Sequence, residues 1–161
     1  LVGSEMCIRD RCSLVAGLVF AFAVVVMPGI ATLGDRQFLR AFQVIDGVIQ
    51  NRQPLFVLVW VGSAVALVAA AVVGFGPLDG TGRALLFAAV LVYILGVQLP
   101  TVTINIPLNN SVQALEIDAM DEAALATARG EFEARWNRWN SIRTVLACLV
   151  SVLLLVLLSR F

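Results

Sequence analysis

The sequence has no histidine and no lysine; all eleven of its basic residues are arginine. The missing histidine removes the commonest general base and the usual haem and zinc ligand, and the missing lysine removes Schiff-base chemistry. Charge of either sign is sparse. Charged residues make up 14% of the chain, against about 25% in a soluble domain. The eleven acidic residues cancel the eleven basic ones, so no net charge recruits nucleic acid or an acidic surface. Cysteine is scarce too: Cys7, Cys12 and Cys148. No spacing matches a P-loop, a dinucleotide glycine fingerprint, a zinc motif or a serine-hydrolase elbow.

Residues 1–12, LVGSEMCIRDRC, read as non-native read-through, with a short native amphipathic start as the alternative. Their charged cluster, Glu5, Arg9, Asp10 and Arg11, is not followed by a small-residue cleavage site. On that reading residues 13–161 form a single four-span membrane domain and only Cys148 remains. One thiol supplies neither a disulfide nor a metal cluster, and no metal site is expected.

What the chain has in abundance is hydrophobic length. Hydrophobic residues make up 60% and the mean hydropathy is +0.94. Four stretches carry no charge: Cys12 to Gly34, Gln53 to Leu78, Ala84 to Leu115 and Thr144 to Ser159. A spanning helix needs about 20 apolar residues. The first three qualify directly, and Ile142 with snorkelling Arg143 and Arg160 completes the fourth. The expected fold is therefore all-α, a four-helix transmembrane bundle. It has an amphipathic helix between spans 1 and 2 and a long helical connection before span 4.

Asp35 to Asn51 is the amphipathic segment. Phe38, Phe42, Ile45 and Ile49 share one face, while Gln43, Asp46 and Gln50 form a polar stripe. Pro54 suits the first position of the next helix, and GFGPLDGTG reads as a tight turn. Pro100 is expected to kink span 3 and Pro107 to weaken it, with Asn110 or Ser111 capping a new helix. The connections 35–53 and 101–143 hold Arg36, Arg40, Arg52, Arg129, Arg135, Arg138 and Arg143, against Arg83 and Arg160 on the other side. The positive-inside rule then puts both connections in the cytoplasm, and the Ala/Val/Arg-rich composition suggests a bacterial inner membrane.

Three polar groups stand out. Asn105, Asn109 and Asn110 flank Pro107; they either satisfy carbonyls released by the prolines or orient a polar ligand and its oxyanion. Phe132, Trp136, Asn140 and Arg143 share a helical face with Trp139 beside it, either an interfacial aromatic belt or a bundle-facing polar site. Asp46, with Gln43 and Gln50, is either a solvated surface carboxylate or a general base. If it faces Arg143, each would hold the other charged.

In order along the chain come MPG (Met27 to Gly29), AFQVIDGVIQNRQPLF (Ala41 to Phe56), TVTINIPLNN (residues 101–110) and RWNRWNSIR (residues 135–143). Together they resemble the DUF1772, or anthrone oxygenase-like, membrane proteins over nearly all of the chain after residue 12. The resemblance implies a four-helix membrane bundle. In the fungal branch it implies oxidation of a polycyclic anthrone to an anthraquinone by O2, with no cofactor. On that basis Asp46, Asn109 and Arg143 are the expected catalytic residues. Gln43, Asn105, Trp136, Trp139 and Asn140 are expected to bind an aromatic, lipophilic substrate. The partners implied are the lipid bilayer, that substrate and O2; the sequence leaves homo-oligomerisation open. The alternative is a non-catalytic membrane protein that binds a lipid or quinone-like ligand or scaffolds a partner. Convergence of the three polar groups on one cavity favours the enzyme, and their separation favours the alternative.

Overall fold

A chain that crosses hydrocarbon must satisfy its backbone internally, and this one does so with helices alone. The computed structural model describes residues 2–51, 53–74, 76 and 78–160, with side chains from Ile8 onward. Arg52 of the arginine comparison, and Phe75 and Pro77 of the expected tight turn, lie outside the described residues. Five helices carry the described chain. Val2–Ala21, Phe22–Val26 and Met27–Ala31 run on without a break as α1. The amphipathic α2 is Asp35–Gln50 and α3 is Pro54–Gly74, opening on Pro54 as its residue type predicts. The fourth helix, α4, is the continuous Gly80–Gln113, and α5 is Glu122–Leu158. A single 3₁₀ turn, Ile117–Ala119, joins the last two.

Helices α1, α3, α4 and α5 are long and apolar enough to cross a membrane. Their outward faces confirm the solvent they need. Val25, Leu55, Leu58, Val65, Val72, Phe87, Val102 and Val145 are all exposed, more large apolar surface than a water-soluble monomer normally leaves open. The protein is an integral membrane protein.

Each of the three prolines inside a helix stands two residues beyond a π turn. Phe22–Val26 precedes Pro28, Ile94–Gln98 precedes Pro100, and Thr101–Asn105 precedes Pro107. A proline ring collides with the carbonyl four residues back and offers that carbonyl no donor; the wider π turn moves the carbonyl aside. Thr101 and Thr103 donate their hydroxyls back to Val97 O and Leu99 O at 2.6 and 2.8 Å. The helix therefore survives both prolines. The new helix expected at Asn110 or Ser111 does not form, because α4 continues unbroken to Gln113. Much of the expected connection 101–143 is the continuation of α4 and the first half of α5.

The core has two parts. The first, toward the chain's N-terminus, packs Ile8, Cys12, Val15, Leu67, Tyr93 and Val150 from all four spans. Within it Ser63 and Tyr93 share a buried 2.6 Å hydrogen bond between α3 and α4, polar glue of the kind spans use. The second part joins α2 to α5 through rings. Phe42 meets Phe132 edge-on at 4.5 Å and Trp136 at 5.6 Å between centroids. Outside it, Arg40 pairs with Asp118 and holds that carboxyl below the usual carboxylate range.

Arg129 fastens this second part. It donates to Ala31 O, Leu33 O, Asp35 and Glu133, and its guanidinium lies 4.3 Å from the centre of the Phe38 ring. Four directed bonds need the planar fork that lysine lacks. We predict that Arg129→Ala lowers unfolding stability in mixed micelles by about 2–4 kcal/mol, since charge-assisted bonds contribute about 1.5–3 kcal/mol each and partly overlap. Arg129→Lys should recover less than half of that. Full recovery would contradict the role given to the fork.

Candidate functional site

The buried stripe of α2 runs Phe38, Leu39, Phe42, Asp46. Steps of three and four put Asp46 on the apolar face, one turn beyond Phe42. Of the two readings of Asp46, the solvated surface carboxylate fails: Asp46 is 2% exposed, whereas Ile45 and Ile49 of the expected apolar face are only half-buried. The carboxylate receives three neutral amide donors. Asn109 Nδ2 bonds Oδ1 at 2.7 Å; Gln50 Nε2 and Gln113 Nε2 bond Oδ2 at 2.8 and 2.9 Å. Trp136 Nε1 donates to Asn109 Oδ1 at 2.7 Å, which turns the amide so that its NH₂ faces Asp46.

On α5 the face Phe132, Trp136, Asn140, Arg143 is wholly buried. The interfacial-belt alternative fails for these four. Arg143 is 4% exposed and donates to Thr101 Oγ1 and Asn140 Oδ1, both at 2.9 Å. Asn140 Nδ2 in turn bonds Val19 O on α1 at 3.0 Å. Arg143 therefore belongs to the bundle interior and is not a connection charge.

Asp46 does not meet Arg143, so the condition under which each would hold the other charged is not fulfilled. Among the described residues no ion pair includes either group. Each is held from its own side by neutral partners, Asp46 by amides and Arg143 by a hydroxyl and an amide oxygen. Yet both line one cleft of about 150 Å³ at the junction of the two core parts, together with Thr101, Asn105, Asn109 and Asn140. Phe22, Phe42, Phe56, Trp60 and Trp136 supply its aromatic walls. Some polar capacity is left over. Both side-chain atoms of Asn105, which is 2% exposed, have no partner, and neither does Arg143 Nε. Buried polar atoms left bare in this way are uncommon, and here they lie in a cleft lined by rings.

Of the residues singled out in the sequence, Asp46, Asn105, Asn109, Trp136, Asn140 and Arg143 converge on this cleft. Gln43 does not: its amide ties Val112 O and Leu115 O at 2.8 and 3.1 Å, clasping the end of α4. Trp139, half-buried, is outside the lining. Sequence reasoning missed Thr101 and Gln113. The signal was present, because Thr101, Asn105, Asn109 and Gln113 recur every four residues, a polar stripe on one face of α4.

A family model described as anthrone oxygenase matches residues 49–153, nearly two thirds of the chain. The chain belongs to the anthrone oxygenase family. The matched family segment contains Asn105, Asn109, Trp136, Asn140 and Arg143 and begins three residues after Asp46. No curated protein and no solved structure matches the chain.

A buried guanidinium without an anion beside it lowers the stability of the unliganded fold. Arg143→Met is therefore predicted to leave stability unchanged or raise it by about 1 kcal/mol, despite the bonds lost to Thr101 and Asn140, because replacing buried charge by apolar volume is often neutral or favourable. Chemical unfolding of the detergent-solubilised variant measures this. A loss of stability of about 2 kcal/mol or more would mean that Arg143 is a structural pin.

Proposed function

We propose that the protein is an oxygenase that removes a proton from an activated carbon of an aromatic, lipophilic substrate and lets O2 oxidise the resulting anion. The observation that carries this reading is one cleft with two unlike, unpaired ends. A buried carboxylate on α2, a buried guanidinium on α5 and the unpartnered side-chain amide of Asn105 on α4 line the same cleft, together with aromatic rings. A substrate with an acidic C–H on one side of a ring and an oxygen on the other spans such a cleft. Family membership supports the same class.

The steps follow from the groups. Asp46 accepts the proton of a CH₂ group that the ring system and a carbonyl acidify. Charge moves to the carbonyl oxygen, where Asn105 Nδ2 and Arg143 donate to it in a site free of bulk water. The carbanion passes one electron to O2; the radical pair combines at carbon and takes up a proton to give a hydroperoxide. Loss of the second C–H proton and of hydroxide leaves a new carbonyl and one water. In sum CH₂ and O2 become C=O and H₂O, and every electron comes from the substrate. Asn109 and Trp136 hold the base in place. Gln113 and Gln50 keep its second oxygen anchored while the first works.

The enclosed volume sets the fit. About 150 Å³ is the size of a cavity that holds benzene, so one ring is enclosed. The other rings of a polycyclic substrate lie between the half-buried Phe22, Phe56 and Trp60.

Aerobic turnover of anthrone by the detergent-purified protein tests this, with quinone absorbance and O2 uptake followed together. Asp46→Asn is expected to slow the reaction about 10²–10⁴-fold, the usual worth of a positioned base. Asn105→Ala and Arg143→Met are expected to cost about 10²–10³-fold, as for a lost oxyanion donor. Folded protein that gives no quinone above the Asp46→Asn, Arg143→Met double variant would overturn the reading. Ligand binding without turnover would then stand in its place.

A further inference from the structure

The cleft is closed toward the α2 end and open on one flank. Gln50 Nε2 bonds Asn110 Oδ1 at 3.1 Å and Gln113 Nε2 bonds Gln43 O at 3.0 Å, so α2 is stitched to the end of α4 across the end of the cleft that faces the connections. The flank is different. Helix α3 packs on α1 and on Gly80–Tyr93, the first half of α4. The second half, Thr101–Gln113, packs on α2 and α5. The two helices therefore part where the cleft lies. On the rims of this gap stand Phe56 and Trp60, stacked at 5.5 Å and half-buried, and across it Ile106, 42% exposed. The surface around it is hydrocarbon: Leu55, Leu58 and Val102 are 66%, 60% and 60% exposed.

Polarity is graded along this path. Arg143, Asn105 and Asp46 lie deep, and the rims carry only apolar and aromatic groups. We infer that the cleft loads sideways from the bilayer, between Phe56 and Trp60 of α3 and Ile106 of α4, and takes an oxygenated ring with an apolar extension, oxygen first. The ring sits in the enclosed volume with its oxygen at Asn105 and Arg143. The extension stays in the gap between the helices, where it replaces acyl chains against Trp60. A ligand that partitions into the bilayer reaches its site without crossing water, and the dry cleft keeps the polar groups strong. This inference shares its ligand class with the oxygenase reading but needs no turnover.

The test uses the protein in bilayers whose acyl chains carry bromine, which quenches tryptophan on contact, with 4-octylphenol as the probe. The fluorescence difference between the wild-type protein and Trp60→Phe isolates Trp60. Trp60 is expected to be strongly quenched without the probe. The probe should relieve that quenching saturably, and Asn105→Leu should raise the half-saturating concentration at least tenfold. Because the Asn105 side chain makes no hydrogen bond within the protein, this variant should fold. Relief that rises in simple proportion to the phenol, equally in Asn105→Leu, would reflect dilution of the brominated lipid and overturn the inference, as would no relief at all. Saturable relief without quinone formation would sink the oxygenase reading and leave the entrance standing. Turnover of anthrone with only proportional relief would do the reverse.

Discussion

Moving a carboxylate or a guanidinium out of water costs several kcal/mol for each ion, even after the protein relaxes around it. Among the described residues this bundle buries one of each and keeps them from meeting. Asp46 is held by three amides and Arg143 by a threonine and an asparagine. Direct pairing would neutralise both charges and close the space between them. Neutral partners leave both charges available to a third party. The remaining features of this half of the bundle accompany that arrangement: the stitches from α2 to α4, the Trp136 bond that orients Asn109, and the aromatic walls of the cleft.

The prolines serve the same arrangement. A straight α4 would present its polar side chains at the regular 100° step. The π turn Thr101–Asn105, which makes room for Pro107, places Thr101 at Arg143 and leaves Asn105 facing the cleft without a partner. The π turn Phe22–Val26 does likewise for Phe22 on α1. Gly96, within the third π turn, lets α4 approach α5 so closely that a Cβ there would stand 2.5 Å from a methyl of Leu146. Local irregularity and close packing occur together where the polar groups must be aimed, as is frequent at functional sites.

The four spans, the amphipathic helix and the all-α bundle were legible because hydrocarbon leaves few options. Charge-free runs and Pro54 alone locate α1, α3 and α4, and the spacing of four, four and three between Phe132, Trp136, Asn140 and Arg143 locates the inward face of α5. Asp46 was harder to read. Its place beside two glutamines looks like a polar stripe, and only the packing of Phe38, Leu39 and Phe42 reveals that Asp46 itself is buried while Gln50 stays exposed. Whether Asp46 faces Arg143 stayed open in the sequence for a similar reason. Residue types predict attraction between opposite charges, whereas the rotation of α2 against α5 decides whether they touch. A break at Asn110 or Ser111 follows from Pro107 and from their capping side chains; the π turns that prevent it have no simple signal beyond the prolines they accommodate.

The central claim is that the two buried charges address opposite sides of one ligand. An experimental structure of the protein with bound 9,10-anthraquinone, the product of anthrone oxidation, tests it most directly. The account predicts one carbonyl oxygen within hydrogen-bonding reach of Asn105 Nδ2 and Arg143, with the opposite carbonyl carbon beside Asp46 and a ring edge between Phe56 and Trp60. A quinone bound elsewhere on the bundle, or an ion pair formed between Asp46 and Arg143 with the ligand excluded, would contradict it.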